Sequence, residues 1–151
     1  MFRGVNNVTL DVKGRLSIPT RYRAQLLASC DGQMVMTIDR EGSLLLYPLP
    51  VWENIERKLI ELPSLNKKAK RLKRLLIGHA TDCELDGQGR VLVSPPLRDF
   101  AELEKKVVMI GQGNKFEIWN EQAWAVNRDI WFEEENEEEG ELSPELGSLS
   151  L

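Results

Sequence analysis

Histidine and cysteine are nearly absent from this 151-residue chain, which has one His and two Cys. Two thiols, Cys30 and Cys83, cannot build a disulfide framework. Met1-Phe2-Arg3-Gly4 opens the chain without a signal-peptide hydrophobic region, so a reducing, cytoplasmic setting is expected. His79 and Cys83 are four residues apart, but a closed zinc site needs two further ligands, so neither a metal nor any other cofactor is expected. Long hydrophobic runs are missing too: the most apolar stretch, Leu44–Val51, is short and broken by Pro48 and Pro50, which excludes a membrane-spanning helix. No Ser/His/Asp or Cys/His set offers a nucleophile. Gly87-x-Gly89 and Gly111-x-Gly113 lack the third glycine and the strand-to-helix context of a nucleotide loop. Asp82, Glu84 and Asp86 gather near a turn, where acids mostly cap and solvate. Enzymatic activity is not expected.

Basic residues are absent from the end of the chain, where residues 133–151 hold eight Glu and no Lys or Arg. The net charge of −4 therefore divides into an acidic tail, expected to be disordered, and a body with 20 basic and 16 acidic groups. Residues 1–75 carry 14 basic against 7 acidic groups, and residues 76–132 carry 6 against 9. A basic front half suggests a polyanion partner.

The body repeats itself. Leu10-Asp11-Val12-Lys13-Gly14-Arg15-Leu16-Ser17-Ile18-Pro19 returns 75 residues later as Leu85-Asp86-Gly87-Gln88-Gly89-Arg90-Val91-Leu92-Val93-Ser94, followed by proline. The order downstream matches in both copies: a short helix (about Thr20–Leu27, then one after Pro95-Pro96), a strand, a polar turn and a second strand. Trp52 and Trp124 open further amphipathic helices, and the tryptophans read as packing anchors rather than base-stacking platforms. Four units are expected: a first module over 1–62, a basic linker helix over 63–78, a second module over 79–132, and the acidic tail. In the linker, Leu65, Ala69, Leu72 and Leu76 make one helical stripe, with Gly78 as C-cap. Six cations between Lys67 and Arg74 lie opposite, either as a solvated face or as phosphate contacts.

In Asp-x-x-Gly-Arg, Gly14 and Gly89 permit positive φ, while Asp11 and Asp86 can accept backbone N–H bonds and hold the turn. Each turn then projects Arg15 or Arg90 from the start of a strand. Alternation buries Leu16 and Ile18 and leaves Arg15 and Ser17 on the other face. Arginine grips phosphate or a guanine edge in bidentate fashion. The alternative is a surface ion pair closing a hairpin, worth under about 1 kcal/mol.

These motifs, with Arg21-Tyr22-Arg23 after the first strand, Arg74-Leu75-Leu76-Ile77-Gly78-His79-Ala80 and Gly113-Asn114-Lys115-Phe116-Glu117-Ile118-Trp119, resemble the MraZ family of bacterial transcriptional regulators over about residues 1–125. The resemblance implies an α+β, β-rich fold in which two tandem AbrB-like (SpoVT-AbrB) modules with short helices form a pseudo-symmetric swapped-hairpin β-barrel. It implies a ring-shaped homo-oligomer, nucleoid-associated, that binds direct repeats in promoter double-stranded DNA and represses a division and cell-wall operon including its own gene. The family's Asp-x-x-x-Arg signature falls on Asp11 and Arg15 and on Asp86 and Arg90, and Arg3, Lys13, Arg21 and Arg23 are expected to share the DNA-facing surface. The second copy departs in having Val93-Ser94-Pro95-Pro96 where the first has Ile18-Pro19-Thr20-Arg21. A different class of function, a protein-interaction scaffold, would use the same modules without DNA.

Overall fold

The computed structural model of the chain describes residues 1–137 and 143–151. Met1–Glu121 form one compact unit and Gln122–Leu151 a second. The first unit contains the strands β1 (Phe2–Thr9), β2 (Arg15–Ser17), β3 (Gln33–Ile38), β4 (Leu44–Pro48), β5 (Thr81–Glu84), β6 (Arg90–Leu92), β7 (Lys106–Gly113) and β8 (Phe116–Asn120), with the helices α1 (Thr20–Cys30), α2 (Leu49–Ile60), α3 (Lys67–Leu72) and α4 (Pro95–Phe100).

Six strands form one antiparallel sheet in the order β1-β7-β8-β4-β3-β5, while β2 and β6 pair as a separate two-stranded ribbon. Exchanging each strand for its repeat copy returns the same order, so the repeat in sequence is a pseudo-two-fold in structure. The first strand of each half pairs with the third strand of the other: Phe2↔Gly113 through Thr9↔Lys106 on one side, and Gln33↔Glu84 through Met36↔Thr81 on the other. The expected closed barrel does not form. β1 and β5 remain edges of the sheet, and among the described residues the one backbone bridge from the end of β1 to the ribbon is Leu10↔Leu16, just past β1. The turn that begins at Asp11 reverses the chain before a longer ladder can develop between β1 and β2.

Alternation along the strands builds two cores on the two faces of the sheet. On one face Met34, Met36, Leu44, Leu46, Met109, Phe116 and Ile118 pack under the ribbon residues Leu16, Ile18, Val91 and Val93, with Tyr22 and Leu26 of α1 and Leu97 of α4. Leu16, Ile18, Val91 and Val93 are all fully buried, each contributing about 2 kcal/mol through burial. The other face carries Val35, Leu45 and Tyr47 against Trp52 of α2, with Leu76 and Ile77 beside them.

The linker departs from the continuous helix expected over Leu65–Ile77. Asn66 caps α3 by accepting the Ala69 N–H at 3.1 Å, which leaves Leu65 outside the helix and 90% exposed. After Leu72 the backbone widens into a π-helical turn, Lys73–Ile77, closed by the Gly78 N–H to the Lys73 carbonyl. Gly78 sits where expected at the end, but with φ −62°, so it is not a left-handed cap. Its lack of a side chain matters for another reason: a β-carbon there would overlap the Arg74 carbonyl. Thr37, buried in β3, donates its hydroxyl to the Leu76 carbonyl at 2.6 Å and ties this turn to the sheet.

α1 extends past Leu27 to Cys30 and ends at left-handed Asp31, where the Asp31 and Gly32 N–H groups bond the carbonyls of Leu27 and Leu26. α5 (Glu121–Glu137), all but its first residue in the second unit, continues beyond Phe132, so the first residues of the acidic run are helical. Trp124 and Trp131 meet edge to face on α5, with ring centroids 5.8 Å apart. α6 (Pro144–Gly147) is a single short turn. The rest of the expected tail, residues 138–142, lies outside the described residues.

Candidate functional site

Each Asp-x-x-Gly-Arg segment folds as a closed turn organised by its aspartate. Asp11 Oδ1 accepts the N–H groups of Lys13 and Arg15, both at 2.9 Å, and Oδ2 takes the Arg15 Nε–H at 3.0 Å. Asp86 repeats the pattern with Gln88 N at 2.9 Å, Arg90 N at 2.8 Å and Arg90 Nε at 3.1 Å. The glycine N–H closes the turn on the aspartate carbonyl at 3.0 Å in both copies, with φ +84° at Gly14 and +75° at Gly89. These donors hold both carboxylates charged. For Asp11 the Arg15 backbone N–H is the main cause of a pKa below the ordinary 3.8, and for Asp86 it is the Arg90 N–H, with the guanidiniums adding to both.

The ribbon then places the two turns side by side. β2 and β6 pair as Arg15↔Leu92, Leu16↔Val91 and Ser17↔Arg90, and each strand is extended onto the opposite turn by Ile18 N–H to Gly89 O at 2.9 Å and Val93 N–H to Gly14 O at 2.8 Å. With Leu16 and Val91 inward, Arg15, Ser17, Arg90 and Leu92 share the outer face. Arg15 and Arg90 side chains are 31% and 25% exposed, and Arg90 Nη1 lies 3.9 Å from Asp11 Oδ2, which links the two turns. Each arginine is pinned at Nε by its own aspartate. Its Nη end remains available to an external acceptor, because a guanidinium carries five donors.

The other expected site residues divide into three places. Lys13 is exposed in the first turn, next to Arg15. Arg3 and Arg21 line a shallow cleft with Tyr22 and Gln25, away from the turns. Arg21 is held there by Asn6 Oδ1 at 2.5 Å and the Tyr22 hydroxyl at 2.8 Å, and it stacks 4.8 Å over the Tyr22 ring. Tyr22 in turn donates to the Arg3 carbonyl. Arg23 packs on the second turn: its Nε donates to Ile18 O at 2.8 Å, and its guanidinium occupies the space a β-carbon on Gly89 would need.

Sequence reasoning finds Arg98 at an offset similar to that of Arg21 and Arg23 but misses what it holds. Arg98, 75 residues after Arg23, packs on the opposite turn, where a β-carbon on Gly14 would stand 2.7 Å from its Cζ. Each half thus braces the glycine of the other half's turn with an arginine, and the repeat spacing carried that signal. Leu92 was also missed, because Val91-Leu92-Val93 are all apolar and alternation cannot show which one faces out; it is 58% exposed. His79, exposed, has Nδ1 2.7 Å from Leu75 O, and Cys83 is half-buried. Among the described residues no group of three or more His, Cys, Asp or Glu is placed to hold a metal ion, and no helix is long and apolar enough to cross a membrane.

The repeat and its paired turns have counterparts in known proteins. A family model described as "MraZ protein, putative antitoxin-like" matches the chain twice, over residues 1–75 and 76–139. Proteins named Transcriptional regulator MraZ are similar over their full length and that of this chain: one from Methylococcus capsulatus is 60% identical, one from Thioalkalivibrio sulfidiphilus 57% and one from Legionella pneumophila 53%. Identity at this level across both repeats, together with the doubled family match, means that this chain belongs to the MraZ family.

Proposed function

We propose that the chain is a transcriptional regulator that binds double-stranded DNA in the major groove through the β2–β6 ribbon. The relatives' name supports regulation rather than enzymatic turnover. The observation that carries DNA contact is the ribbon itself: two arginines, each fixed at Nε by an aspartate, stand on one outer face with Lys13 beside them. A two-stranded ribbon fits the major groove, where a bidentate arginine reads guanine and lysine touches phosphate.

In this reading Arg15 and Arg90 contact bases or phosphates, Asp11, Gly14, Asp86 and Gly89 hold the turns, and Arg23 braces the second turn against Gly89. Arg3 and Arg21 reach DNA only where it extends past the ribbon. The strand exchange corresponds to a swapped-hairpin arrangement of modules 1–62 and 79–132, joined by 63–78 and followed by an acidic tail from 133. One ribbon makes few contacts, so a ring of copies on repeated promoter sites raises affinity by effective concentration. Repression of a division and cell-wall operon containing its own gene, in the nucleoid of the cytoplasm, completes the proposal.

The test is a titration of promoter DNA with Arg15→Ala. Loss of one bidentate contact weakens binding about tenfold or more, while circular dichroism and light-scattering mass stay unchanged. Wild-type affinity also falls steeply with salt. Unaltered affinity in Arg15→Ala, or a flat salt response, rejects the ribbon as the DNA-binding element and favours the scaffold alternative.

A further inference from the structure

The ribbon's outer face is not purely polar. Leu92 is 58% exposed and lies directly opposite Arg15 in the ladder, and Val12, at the tip of the first turn, is 99% exposed. Their repeat counterparts are Ser17 and Gly87. The two copies therefore agree in Asp, Gly and Arg, the residues that build the turn, and differ in what they show to solvent. A leucine on the open face of a strand gains nothing for the fold, since Leu16, Ile18, Val91 and Val93 already fill the inner side. Its surroundings, the cations Arg15, Lys13 and Arg90 against the carboxylates Asp11 and Asp86, keep a net positive charge, which favours an anionic partner over the apolar face of another protein.

In the major groove the apolar group available to such a side chain is the thymine 5-methyl. Cross-strand neighbours on one face stand about 5 Å apart, between the rise of one base-pair step, about 3.4 Å, and that of two. An arginine and a leucine in that relation can address a guanine and a neighbouring thymine together. We infer that Leu92 is a specificity-determining residue that recognises a thymine methyl group beside the base contacted by Arg15. This rests on the proposed DNA contact of the ribbon.

The inference is tested with promoter duplexes made with thymine or with uracil throughout, which differ only in the 5-methyl. The wild-type protein is expected to bind the thymine duplex at least about threefold more tightly, the value of one buried methyl-sized group. Leu92→Ser, which installs the residue of the first copy, reduces that ratio towards one. Arg15→Ala weakens both duplexes and keeps the ratio. Equal wild-type affinity for the two duplexes overturns the inference but leaves DNA contact standing, as does an unchanged ratio in Leu92→Ser. A Leu92→Ser protein of altered mass without DNA also overturns it, because the leucine then serves contact between copies. A wild-type protein that binds neither duplex rejects the DNA reading itself.

Discussion

Asp11 and Asp86 carry most of the local order in the site, and their chemistry fixes its response to acid. Both carboxylates have folded-state pKa values lowered from 3.8 by the N–H donors of their own turns. A depressed carboxylate pKa adds stability that is complete above the ordinary value and is lost as pH falls through the lowered one. The turns should therefore be indifferent to pH across the neutral range and loosen only in strong acid. Side-chain carboxyl NMR titrations are expected to place both groups below 3.8, and a midpoint at or above that value would mean the turn bonds are not kept in solution. Cys83 makes the opposite case: burial, reinforced by Asp82, pushes its thiol up to about 12. In the native protein it should resist alkylation at pH 8, since the thiolate is the reactive form. At this scale the sequence was most readable in the turns, because Asp, Gly and Arg each have one geometric reason to recur. Arg23 was less so: a cation close to a basic cluster looks like surface until the Ile18 carbonyl and the bare face of Gly89 are found beneath it.

Among the elements, the linker shows where periodic patterns lose information. Leu65, Ala69, Leu72 and Leu76 fit one α-helical stripe, yet Asn66 stops the helix short of Leu65, and the turn over Lys73–Ile77 adds a residue per bond. An apolar stripe cannot register that widening, because Leu75, Leu76 and Ile77 are all apolar and any of them can face the sheet. Gly78 should be the sensitive position. Gly78→Ala drives a β-carbon into the Arg74 carbonyl, and a loss of about 2 kcal/mol is expected in urea unfolding, typical of backbone overlap. Thr37→Val removes the donor to Leu76 O and should cost about 1 kcal/mol. A neutral result for both would show that the π-helical turn is not an important support for this face of the sheet.

For the whole molecule, the partner of each strand was the part the sequence withheld. Alternation in residues 15–18 says which face is buried; it is silent about which neighbour supplies the ladder, since pairing within a half or across halves buries the same residues. Of the six strand pairings among the described residues, four join the halves: β1–β7, β2–β6, β3–β5 and β4–β8. Covalent continuity through the exposed Ser64 and Leu65 is then not what keeps the halves together. A single cut after Ser64 should leave both pieces co-eluting in native gel filtration and separating only in denaturant; pieces that part in native buffer would contradict the pairing. Joining two halves in one chain has one more result, visible on the ribbon. Two separate, identical halves would present a symmetric face and suit a palindrome. Here one end shows Val12, Lys13 and Leu92 and the other Gly87, Gln88 and Ser17. A face with unlike ends has a direction, so under the proposed DNA contact a duplex is read one way round and its sites should recur head to tail instead of as mirror pairs.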